Sequence, residues 1–118
     1  MSQYPFLVIY DSDAVLDFEA VKSREERKAT YTAIDKLRQL GPRLPPPHMK
    51  ALKGESGLLE LRPRQGRSQV RPICSRIGES EFVILAFATK PDKADFDSAV
   101  AAARDRLVRY SHGSSRAS

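Results

Sequence analysis

The sequence predicts an α+β domain: a mostly antiparallel sheet carrying a helix hairpin and a C-terminal helix. Three observations predict it. A β-rich stretch, YPFLVIY, opens the chain ahead of two helical segments. Three short strand-like segments then follow one another across turn residues. A last segment places apolar residues at helical spacing. The predicted order is β-α-α-β-β-β-α. At 118 residues the chain holds one core and is too short for two domains.

Tyr4–Tyr10 is rich in β-branched and aromatic residues and is bounded by Pro5 and by Asp11-Ser12-Asp13, which marks a first strand. The same polar residues cap a helix expected to bury Ala14, Val15, Phe18 and Val21. A second helix starts at Ser23 as N-cap, with Glu25 and Glu26 in its first turn. It repeats Tyr31, Ile34 and Leu37 and stops at Gly41. So short a link between two helices predicts an antiparallel hairpin. PRLPPPHMK excludes both regular elements through Pro42 and Pro45–Pro47, and predicts a stiff extended connector that delivers His48 and Lys50 to a fixed place.

Strands are expected at Leu58–Arg62, Gln69–Cys74 and Glu81–Ala88, with turns at Gln65-Gly66 and around Gly78. FVILAFA is apolar at every position, as in a central strand buried on both faces. From Asp92 to Tyr110, residues Phe96, Val100, Ala103, Leu107 and Tyr110 fall on one stripe of a helix. The domain is read as residues 1–110, and SHGSSRAS (111–118) as a flexible polar tail.

Composition narrows the function. Net charge is +5, yet Arg43–Arg76 alone holds eight Lys/Arg against Glu55 and Glu60, so the excess sits in the middle of the chain. Such a segment suits an anionic partner. The one cysteine, Cys74, forms no internal disulfide and reads as a small core residue. Two histidines and a cysteine, far apart, make no metal-ligand spacing, so neither metal nor cofactor is expected. No apolar run nears the roughly 20 residues of a membrane span, and no export signal opens the chain, so a cytoplasmic protein without membrane contact is expected.

The charge concentrates in GESGLLELRPRQGRSQVRP. With Gln65-Gly66 as a two-residue turn, Arg62 faces Gln69 and Glu60 faces Arg71. Leu59, Leu61, Val70, Pro72 and Cys74 then share a core face, and Leu58, Glu60, Arg62, Gln69, Arg71 and Ile73 the other. A slip of two residues keeps these faces. The simplest account is an exposed Glu60–Arg71 pair, worth at most about 1 kcal/mol. It leaves unexplained the further cations in the connector and the turn, which a surface cradling a polyanion explains.

These residues also carry a resemblance. LGPRLPPPHMKALKGESGLLELRP, then Arg71, then VILAFATK resembles the phage-derived, HigB-like branch of the RelE/ParE toxin superfamily. There a Pro-Pro-His-x-Lys-x-Leu connector precedes a Gly-Leu-x-Glu-Leu-Arg strand, and the likeness covers Tyr4–Tyr110. It implies a RelE-like fold and the toxin of a type II toxin–antitoxin pair, neutralised by a cognate antitoxin expected to be a helix-turn-helix protein. It further implies ribosome-dependent mRNA cleavage. Cutting RNA requires deprotonating a 2′-OH, stabilising the phosphate and protonating the leaving oxygen. A lysine crowded by cations exchanges protons more readily, and arginine clamps phosphate bidentately. Carried over by position, His48 and Lys50 transfer protons, Arg62 and Arg71 clamp the phosphate, and Lys90 adds a contact. Lys53, Arg64 and Arg67 meet RNA or ribosome. VRPIC replaces the family's aromatic strand, and Ala88-Thr89-Lys90 holds one lysine where the family has two. A second reading therefore stands beside the first: a toxin-fold protein that acts by binding, as a ParE-like gyrase inhibitor or an inactive antitoxin partner.

Overall fold

A computed structural model describes the backbone of residues 4–117 and the side chains of residues 4–110. The tail expected at 111–118 lies outside the fully described residues. The elements are β1 (Leu7–Tyr10), α1 (Ser12–Phe18), α2 (Arg24–Leu40), β2 (Met49–Ala51), β3 (Leu59–Leu61), β4 (Arg71–Gly78), β5 (Glu81–Ala88) and α3 (Lys93–Ala117), with 3-10 turns at Gly41–Arg43 and Pro63–Gly66. The sheet runs β1-β5-β4-β3-β2, antiparallel except for the parallel β1–β5 pair. The expected α+β class is therefore observed, with one strand more than expected.

That strand is β2. The connector is not an extended rod: His48 and Met49 both donate their amides to the Pro45 carbonyl, at 2.9 and 3.1 Å, so the proline run turns. From His48 to Arg62 every residue has an N–H again, and Met49–Ala51 pairs with β3 as an edge strand. β1 is shorter than expected because the Phe6 amide leaves the sheet for the Arg38 carbonyl of α2, 3.1 Å away.

The predicted caps form. Asp11 accepts the Asp13 amide at 2.9 Å and Ser23 the Glu26 amide at 3.2 Å. Ala14, Phe18 and Val21 are buried as expected, as are Ile34 and Leu37, but Val15 and Tyr31 are half-exposed. Arg27 joins the two helices, donating to the carbonyls of Phe18 and Val21 and lying over the Phe18 ring at 4.4 Å.

The sheet has two covered faces. α1 and α2 bury Leu61, Val70, Cys74, Phe82, Ile84 and Phe87, whereas α3 buries Leu58, Ile73, Val83, Leu85, Ala86 and Ala88. The all-apolar β5 follows from that double cover. The odd spacing within each set comes from a bulge: Ile73 pairs with Ala86 and Cys74 with Ile84, so Leu85 has no partner in β4. Its carbonyl accepts Arg106 of α3 at 2.8 Å.

Arg106 belongs to a clamp that fixes α3 to the β1–α1 junction. It pairs with Asp17 at 2.8 Å, and Arg109 bonds Asp11 and Asp13, each at 2.9 Å. The Tyr110 hydroxyl donates to Asp11 at 2.7 Å. Burial pushes the Asp11 carboxyl up. Its bonds from Tyr110, the Asp13 amide and Arg109 outweigh that and hold it below the usual carboxylate range. Tyr110 is pushed up to about 12 by burial and by the carboxylate it faces.

Candidate functional site

The basic turn between β3 and β4 does not form as a two-residue hairpin. Glu60 pairs with Ile73 and Leu59 with Cys74, a shift of two residues that preserves the expected faces. Pro63 has no N–H to continue the ladder, and the Arg62 amide goes to the His48 carbonyl instead, at 2.8 Å. The chain then runs through Arg64, Gln65 and Gly66 with φ of 55, 59 and 95°. A left-handed conformation costs a non-glycine residue roughly 1–2 kcal/mol, so other contacts must hold this turn.

Arg71 is the main one. Its guanidinium donates to Glu60 at 2.6 Å, to the Gly66 carbonyl at 2.7 Å and to the Ser68 carbonyl at 3.2 Å. Glu26 of α2 braces the other side, accepting the Ser68 hydroxyl and lying 3.7 Å from Arg64. Neither Glu26 nor Ser68 was expected here. Glu26 reads in sequence as a first-turn helix acid, and a lone serine signals nothing. Gly66 fits because a Cβ there would come within 2.5 Å of the Arg62 guanidinium.

Glu60 is the centre of the arrangement and corrects one expectation. Its side chain is 5 % exposed, and those of Arg62 and Arg71 are 26 % and 27 % exposed. The Glu60–Arg71 pair is therefore part of the folded interior and not an exposed pair. Arg62 is held more loosely, with 3.5 Å to Glu60. Lys50 stands opposite Glu60 in the β2–β3 register. Of the expected residues, Arg62 and Arg71 thus meet one carboxylate and Lys50 stands opposite it in the register, while the His48 carbonyl takes the Arg62 amide.

The turn separates two grooves. The first, about 540 Å³, runs between α2 and the turn and takes in His48, Arg62 and Arg64. The second, about 500 Å³, lies toward the start of α3 and takes in Arg67, Arg71 and Lys90. Lys50 and Lys53 are exposed on β2 and the loop after it, outside both linings. Six of the expected residues therefore line the two grooves, and Lys50 and Lys53 stand outside them. The first groove also contains Lys28 and Lys36 of α2, which sequence reasoning missed although their spacing of eight puts them on one helix face.

Chemically the cluster can bind an anion and exchange protons. Arg62 has donors beyond its one long ion pair, and His48 is half-buried in the same groove. Arg71, bonded three ways, positions the turn. Cys74 takes no part: it is fully buried, and burial pushes its thiol up to about 12. Among the described residues no cluster of three or more His, Cys, Asp or Glu could hold a metal ion, and no helix is long and apolar enough to cross a membrane.

Comparison with known proteins agrees with this architecture. Residues 17–108 match the family described as Phage derived protein Gp49-like (DUF891), and the chain belongs to that family. No curated protein matches it. Among solved structures it is similar to a mutant of the Escherichia coli toxin RelE, with two arginines replaced by alanine, in the free state. The two share 14 % identity with a TM-score of 0.59, over 82 % of this chain and 96 % of that one. The fold is therefore RelE-like, as expected, and the phage-derived family agrees with the phage-derived branch that the motifs resemble.

Proposed function

We propose that this protein is the toxin of a type II toxin–antitoxin pair and that it cleaves mRNA on the ribosome. Membership in the Gp49-like family and the RelE-like fold support the toxin reading. The observation that carries the nuclease reading is the placement of His48 and Arg62 in one open groove, with Lys50 opposite Glu60, the carboxylate that pairs with Arg62. Arg62 holds the scissile phosphate. His48 and Lys50 move the protons of the 2′-OH and the leaving oxygen. Arg71, through Glu60 and the turn, sets the position of Arg62. Lys90 and Arg67 meet the RNA in the second groove, while Arg64 and Lys53 meet its backbone or the ribosome.

The protein acts in the cytoplasm, and its antitoxin, a helix-turn-helix protein, covers the basic face with an acidic segment, since complementary charge speeds and selects association. The test is expression without antitoxin followed by pulse-labelling. Protein synthesis should fail before DNA synthesis. DNA synthesis stopping first, with translation intact, would establish the second reading, gyrase inhibition by binding. The observation that favours that alternative is the commitment of Arg71 to the fold.

A further inference from the structure

The groove between α2 and the turn has a floor and a rim of different chemistry. Ala29, Ala33, Leu44 and Pro63 supply apolar surface. Lys28, Lys36, His48, Arg62 and Arg64 stand around it, with Glu25 the one acid among the lining residues. The volume of about 540 Å³ falls within the roughly 300–1,000 Å³ of clefts that take small molecules or single nucleotides.

We infer that this groove holds an unpaired nucleobase of single-stranded RNA, next to the phosphate bound by Arg62. The inference deepens the nuclease reading and rests on it. An RNA reader needs flat apolar surface for its bases, and unstacked bases pack on apolar as well as aromatic side chains. β4, with Pro72-Ile73-Cys74 buried, offers no aromatic platform. Leu44 and Pro63 flank the position where a base would lie, and the cations take the phosphates on either side. Lys28 and Lys36 stand about 12 Å apart along the helix axis, so they address different phosphates.

A docked protein helix fits less well. Such a helix anchors through large apolar contacts repeated along its length. The exposed large apolar side chains of the described residues, Leu7, Val15, Leu16 and Val108 among them, all lie outside this groove.

The test uses a fluorescent ten-nucleotide RNA, 2′-O-methylated throughout so that it binds without being cut. Binding is followed by anisotropy across a salt series. Ala29→Leu fills the groove on a helix face that tolerates leucine, and Thr32→Leu fills it one turn further. Losing one base contact should weaken binding about tenfold, with the salt slope unchanged. Lys28→Ala and Lys36→Ala should each lower that slope by about one. Thermal unfolding confirms that each variant folds.

Binding by Ala29→Leu and Thr32→Leu equal to wild type would overturn the inference. So would a wild-type protein that ignores the RNA and binds polyglutamate in the groove. Ribosomal cleavage on the same samples separates the two proposals. A wild type that binds through the groove without cutting sinks the nuclease reading alone, and filled-groove variants that bind and cut normally sink the groove alone.

Discussion

Two arginine clusters hold this molecule, one at the β1 edge of the sheet and one toward the β2 edge, and they are balanced differently. At the β1 edge Arg106 and Arg109 meet three carboxylates, those of Asp11, Asp13 and Asp17. Their remaining reach goes to a bulged carbonyl and, through Asp11, to Tyr110. In the β3–β4 region Arg62, Arg64 and Arg71 share two carboxylates, Glu60 and Glu26, while Arg67 donates to the Arg64 carbonyl. The first cluster holds more carboxylates than guanidiniums and reads as structure. The second is left with unspent positive charge beside open grooves, and only Arg71 is saturated. Arginine content therefore does not separate fold from function here; the ratio of carboxylates to guanidiniums does.

The largest test of this contrast is Arg62→Ala. Losing one preorganised charge donor at a phosphate should lower mRNA cleavage on the order of 100-fold, with thermal unfolding close to wild type. An unfolded variant, or one that cuts normally, would erase the distinction. Arg71→Ala should do the reverse within the same cluster. It leaves the buried Glu60 with a single 3.5 Å partner and strips the Gly66 and Ser68 carbonyls of their donor. Stability should fall by about 2–3 kcal/mol, read from urea unfolding. A variant as stable as wild type would move Arg71 to the functional side.

At the β1 edge, Asp11→Asn should cost about 1–2 kcal/mol at neutral pH through the weakened cap and clamp. Because the folded Asp11 carboxyl titrates below its ordinary value, its contribution is full above about pH 4 and fades as pH falls through the folded value. The gap between wild type and variant should therefore narrow in acid. A gap unchanged between pH 7 and pH 3 would mean that the carboxylate charge is not what holds α3. The smallest effect belongs to Lys53→Ala, on an exposed loop. RNA affinity should drop a few-fold, with the salt slope reduced by about one and stability within about 0.5 kcal/mol. A larger loss of stability would show that even exposed cations here serve the fold.

Much of the fold was legible in the sequence because it is written in local signals: Ser23 and Asp11 as caps, the stripe from Phe96 to Tyr110, the apolar run of β5. β2 was not, since the three residues Met49-Lys50-Ala51 are too few for their alternation to signal a strand, and they become one only by pairing with β3. The shared face of Glu60, Arg62 and Arg71 was legible from alternation, which a two-residue slip preserves. Its energetics were not. The burial of Glu60 depends on Arg71 reaching it from β4 and on a turn whose left-handed residues, Arg64 and Gln65, carry no glycine signal. Glu26 and Lys28 joined the site from a distant helix that sequence proximity could not connect to it.

The parallel pairing of β1 with β5 sets when, during synthesis, the sheet can close. Leu7 lies beside Glu81, more than seventy residues later, so the first strand has no partner until most of the chain has left the ribosome. Pairings of such long sequence separation close late and slowly, and α1 and α2 must wait for the surface they cover. On the proposed activity, a chain cut or stalled before β5 would be harmless to the cell that makes it. An antitoxin would have the length of translation in which to arrive before the sheet is whole.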